Sequence, residues 1–100
     1  CEALWMGVPV ITCPGQTFAG RHATAHLACA GLEEFVAGDR AHYVRLAIEL
    51  AATPERLARL RAGLRAQVAR SPLCDGRRLA DEFLSALRSV WRERSGRAAR

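Results

Sequence analysis

The stretch Glu2-Ala3-Leu4-Trp5-Met6-Gly7-Val8-Pro9-Val10-Ile11-Thr12, followed by Pro14-Gly15 and then Arg21, decides how this chain is read. Glu2 to Met6 are good helix formers. Gly7 is the residue type that turns left-handed just past a helix end, and Val8 to Ile11 is too apolar and β-branched for a surface turn. The order is therefore helix end, buried strand, and a loop at the strand's carboxyl end, which in an open α/β sheet is where ligands bind. Pro9 has no N–H to give to a ladder, so it belongs at the strand's start or on the sheet's margin, and Val10 and Ile11 carry the burial. One strand makes no sheet, so neighbouring strands outside these residues are implied. The chain also opens inside a helix, with no start methionine and no N-cap ahead of Cys1, as a piece of a longer protein would. The expected class is α/β, with helices predominating in this portion.

Downstream, Thr17 can cap a helix from Phe18 to Ala30 that Gly31 ends. Glu34-Phe35-Val36 reads either as a short strand or as an extended connection. Asp39 caps a helix through Ala52 whose Tyr43, Val44, Ala47, Ile48 and Ala51 form one apolar face. Thr53-Pro54-Glu55 supplies a cap, a proline at the first helical position and an acid in the first turn of the next helix, in which Leu57, Leu60, Leu64 and Val68 make the buried stripe. Ser71-Pro72 interrupts the pattern, because a residue before proline avoids the α region. Asp75 then caps a last helix from Gly76 to Arg94, along which Leu79, Phe83, Leu84, Leu87, Val90 and Trp91 recur at helical spacing. A fully buried Leu or Phe contributes roughly 1.5 to 3 kcal/mol, so this face reads as a docking surface. Leu79 and Phe83 are expected to pack near the local core, and Trp91 either closes that core or anchors the helix elsewhere. Residues 95–100 are polar and basic and are expected to fray.

Composition narrows the function classes. The net charge of +5 rests on 15 basic residues that are all Arg. They are spread over several helices and the aromatics sit at apolar positions, so nucleic acid is not an expected partner. Cys1, Cys13, Cys29 and Cys74 stand far apart with no Cys-x-x-Cys pair, which fits reduced thiols in a cytoplasmic protein. No apolar run approaches the ~20 residues that span a bilayer, so no membrane is expected either. His22 and His26 lie four apart on a helix, yet Ala23 follows His22 where a metalloprotease carries Glu and no third ligand is evident, so no metal is expected. No Ser-His-Asp set, paired carboxylates or phosphate-binding glycine loop is present, and no catalytic residue is assigned.

Taken together, the run Glu2 to Thr12, Pro14-Gly15, Arg21, Gly31-Leu32-Glu33-Glu34-Phe35-Val36-Ala37, Ser71-Pro72-Leu73 and Trp91 resembles the C-terminal end of the O-GlcNAc transferase and SPINDLY-like family of protein glycosyltransferases. The resemblance implies two facing Rossmann-like domains of the GT-B type, usually preceded by tetratricopeptide repeats, that move a sugar from a nucleotide-sugar donor to Ser or Thr hydroxyls of an acceptor protein. Residues 1–94 would then be the C-terminal portion of the donor-binding domain. Glu2 falls at the family position that accepts hydrogen bonds from the donor's ribose, a role suited to a carboxylate because it has only acceptors and a ribose diol offers two donors. Arg21 either positions the loop through a salt bridge or touches substrate. The resemblance favours UDP-N-acetylglucosamine over GDP-fucose as donor, with no further cofactor. The phosphate-holding threonines, the proton route and the Lys that balances the diphosphate would all lie outside this chain, which alone should be inactive. The alternative is a non-catalytic helical interaction module.

Overall fold

The computed structural model describes all 100 residues as α1 (Glu2–Trp5), α2 (Phe18–Cys29), α3 (Arg40–Ala51), α4 (Pro54–Ala69) and α5 (Gly76–Ala98), with short 3₁₀ turns at Glu33–Phe35 and Pro72–Cys74. The end of α1 follows from Gly7, whose φ of 77° lets the chain reverse. Gly7 N–H donates to the Leu4 carbonyl at 3.1 Å and Val8 N–H to the Ala3 carbonyl at 2.8 Å, the paired bonds of a Schellman motif.

The strand expected next does not form as a strand. Val8 to Ile11 runs extended with Val10 and Ile11 half-buried against the core, but the single β contact is a parallel bridge between Thr12 and Val36. Thr12 N–H donates to the Phe35 carbonyl at 3.0 Å, and Ala37 N–H to the Thr12 carbonyl at 2.7 Å. The physical reason is that a ladder needs a second strand of comparable length. Here the partner segment coils into a 3₁₀ turn over Glu33–Phe35 and is extended only at Val36, which answers the choice between strand and connection with a little of each.

Three of the expected caps are made. Thr17 Oγ1 accepts from Gly20 N–H at 3.1 Å, Asp39 Oδ1 from His42 N–H at 2.7 Å and Asp75 Oδ1 from Arg78 N–H at 3.0 Å. Thr53 is the exception. Its hydroxyl donates back to the Glu49 carbonyl at 3.0 Å and leaves α4 without a side-chain cap. With Pro54 already lacking an N–H, one fewer donor at that end needs satisfying.

The core joins Leu4, Leu27, Ala30, Leu32, Phe35, Leu50, Leu64 and Val68, with Leu57, Leu60 and Leu73 packed around them. The stripe expected on α4 is thus the one that packs. On α3 it is not: Tyr43, Val44 and Ile48 are exposed, and the inward face carries Leu46 and Leu50 instead. Only Ala52 and Thr53 separate α3 from α4. So tight a connection folds the two helices back on each other and dictates which face of α3 meets α4.

α5 departs furthest from expectation. It continues to Ala98, four residues past Arg94, with Arg97 in its last turn suited to the negative end of the helix dipole. It buries no residue. Leu79 and Phe83 are 67% and 62% exposed, so they do not pack in the local core, and Trp91 at 73% does not close it. The molecule extends over 63 × 29 × 16 Å with a radius of gyration of 18.3 Å, against about 13 Å for a compact chain of this length.

Candidate functional site

The site grows from α1, which presents Glu2 in its first turn. The Glu2 side chain is fully exposed, 3.6 Å from the amino group of Cys1. Its carboxyl is held below the ordinary value, first by a hydrogen bond from its own backbone amide. Ionised, it can only accept hydrogen bonds. Beside it, Cys1, Trp5, Val68, Leu73 and Cys74 line a largely apolar hollow of ≈ 270 Å³ that Glu2 also borders.

α2 carries a second group of candidate side chains. Phe18, His22 and His26 follow one another at helical spacing and stack as a column, with ring centroids 4.8 Å and 4.9 Å apart. His26 is pushed below the ordinary imidazole value, chiefly by burial and then by His22, while the nearby Glu2 charge pulls the other way. Glu2 and His26 therefore share one electrostatic neighbourhood. The structure does not show the two histidines as a metal pair completed by a third group, since no three His, Cys, Asp or Glu side chains gather to hold an ion.

Arg21 lies nearer the amino end of α2 than His26, exposed, and lines an open hollow of ≈ 400 Å³ with Phe18, His22 and Ala25. It makes none of the ion pairs present, which are Cys1–Glu2, Arg56–Glu34 and Arg78–Glu82. The loop that a salt bridge from Arg21 would position is held by backbone instead: Gly15 N–H donates to the Gly20 carbonyl at 3.0 Å. A Cβ on Gly20 would stand 3.2 Å from the Gly15 Cα. Two glycines five apart are the signal for this close approach, and reading the loop for charge misses it.

Arg65 carries no comparable signal. From the later half of α4 its Nε donates to the Trp5 carbonyl at 2.7 Å, its guanidinium lies 5.2 Å from the centroid of the Trp5 ring, and one Nη is 3.6 Å from Met6 Sδ. Among many arginines on an exposed helix face, nothing in the spacing singles it out. A second such clamp sits opposite, where Arg56 pairs with Glu34 at 3.2 Å and lies 5.8 Å from the centroid of the Phe35 ring.

Residues 1–83 match the family model described as Glycosyl transferase family 41. The chain is 42% identical over 92 residues to a probable UDP-N-acetylglucosamine–peptide N-acetylglucosaminyltransferase SPINDLY of Petunia hybrida, an alignment covering 92% of this chain and 10% of that protein. The protein of the same name in Arabidopsis thaliana is 38% identical over 93 residues, 93% of this chain and 10% of its own length. A UDP-N-acetylglucosamine–peptide N-acetylglucosaminyltransferase of Caenorhabditis elegans is 32% identical over 91 residues, 91% of this chain and 8% of its own. The chain spans about a tenth of the length of the SPINDLY relatives it matches. With the match reaching from the residue before Glu2 through the first turns of α5, this chain belongs to glycosyl transferase family 41.

Proposed function

We propose that this chain forms the donor-nucleotide side of a protein O-glycosyltransferase, with Glu2 accepting hydrogen bonds from the two ribose hydroxyls of the donor. Family membership over residues 1–83, with the Glu2 side chain uncovered in the first turn of α1, is the observation that carries it. The names of the relatives favour UDP-N-acetylglucosamine as donor and a peptide as acceptor, and Ser or Thr hydroxyls are the acceptor groups we propose on it. The surrounding protein is proposed to be cytoplasmic, of two Rossmann-like domains preceded by tetratricopeptide repeats, to which these residues contribute a mostly helical part. No helix here is long and apolar enough to cross a membrane.

The division of labour follows from the family resemblance. Here a carboxylate holds the nucleotide, while the family resemblance puts charge balance on the diphosphate and removal of the acceptor proton on groups outside these residues. Orientation of donor and acceptor across a cleft is the larger part of such catalysis, so this chain alone transfers no sugar.

In the complete enzyme, Glu2→Ala is expected to weaken UDP binding by about tenfold to a hundredfold, the loss of hydrogen bonds to a charged group. Isothermal titration with UDP measures it, and an unchanged affinity overturns the ribose assignment. The bare apolar face of α5 favours a second reading, an interaction module without catalysis. That reading gains if the complete protein labels no acceptor peptide with either UDP-N-acetylglucosamine or GDP-fucose.

A further inference from the structure

The last turn of α1 is gripped from outside by α4, at Trp5 and at the capping residue Met6. The carbonyls at its carboxyl end can be accounted for one by one. Glu2 O accepts from Met6 N–H at 2.9 Å, Ala3 O from Val8 N–H at 2.8 Å and Leu4 O from Gly7 N–H at 3.1 Å. Trp5 O is left over, and Arg65 Nε takes it at 2.7 Å. The same guanidinium lies over the Trp5 ring and touches Met6 Sδ, so one side chain holds the last turn by its backbone, its aromatic face and its capping residue. A cation at this end also complements the helix dipole.

Resting on the ribose reading of Glu2, we infer that Arg65 is a positioning residue for donor recognition. It touches no part of the donor. It fixes the direction of α1, and Glu2 sits one turn from the grip, where a small tilt at Trp5 carries the carboxylate away from both ribose hydroxyls. Hydrogen bonds to a diol tolerate little such movement, because each depends steeply on distance and angle.

The test is a double-mutant cycle in the complete enzyme with UDP as the calorimetric probe. Arg65→Met is expected to weaken UDP binding about tenfold, to raise the KM for UDP-N-acetylglucosamine and to leave the KM for the acceptor peptide unchanged. In the Glu2→Ala background, Arg65→Met should cause no further loss, because there is no carboxylate left to misplace. Arg65→Lys, which keeps a donor and a charge but not the planar stack, should recover part of the affinity, and it carries the cycle if the Met variant does not fold. Equal weakening by Arg65→Met in both backgrounds, or none in either, overturns the positioning role. If Glu2→Ala alone leaves UDP affinity intact, the ribose reading has failed and this inference falls with it, an outcome distinct from the other two.

Discussion

Gly7 and Gly31 both hold a positive φ, 77° and 70°, but they are not equivalent. A Cβ on Gly7 would lie 3.0 Å from the Arg61 carbonyl oxygen, a backbone atom of α4 that cannot step aside, whereas on Gly31 it would meet only the side-chain end of Gln67 at 3.6 Å. Gly31→Ala should therefore lower stability by about 1 kcal/mol, the cost of the left-handed conformation, and Gly7→Ala by about 2 kcal/mol or more. Gly63 is the contrast, since it stands inside α4 and a Cβ added there would meet nothing within 4 Å. Gly63→Ala should raise stability by about 0.5 to 1 kcal/mol. Urea midpoints of the three purified variants give the ranking, and a Gly31 variant weaker than the Gly7 variant contradicts it. At this scale the sequence is legible where the requirement is local. Gly7 and Gly31 announce turns without any knowledge of α4. The approach of Arg61 to Gly7 and the Arg65 clamp depend on partners that the one-dimensional pattern does not reveal.

At the scale of elements, caps and breaks are readable and faces are not. Thr17, Asp39, Asp75 and Ser71-Pro72 act within four residues of themselves, so their effect follows from spacing alone. The apolar residues of α3 and α5 exceed what the core can take, and which of them turn inward is set by the neighbouring helix. α5 shows the consequence most fully, since Leu87, Val90 and Trp91 are all exposed. In the isolated chain Trp91→Ala should change stability by less than about 0.5 kcal/mol, as for a surface substitution. With Trp5 replaced by Phe, the fluorescence of Trp91 should be freely quenched by acrylamide in the isolated chain. Strong shielding there would mean that the residue is packed locally. Shielding confined to the complete protein would identify Trp91 as an anchor for another domain.

For the whole molecule, 11 of 100 residues are buried, and the core they form ties together α1, α2, α3, α4 and the 3₁₀ turn at Glu33–Phe35, while α5 stands off it. Small chains bury little of their surface in any case, and this one extends well beyond the radius of a compact domain. The α/β expectation finds no sheet at this scale, because Val8 to Ile11 has no strand of comparable length beside it. Apart from the Val8 N–H bond back to Ala3, that segment is tied to the rest of the backbone only next door, at Thr12. Val10 and Ile11 consequently keep their amide hydrogens and carbonyls free on both sides. In deuterated water those two amides of the isolated chain should exchange at nearly the rate of an unstructured peptide, even though their side chains lie against the core. An unpaired edge of this kind also offers itself to any extended strand of matching length, including the same segment of another copy. The chain on its own thus carries an open template at Val10 and Ile11, and slowing of their amide exchange at high concentration would report its occupation by a second copy.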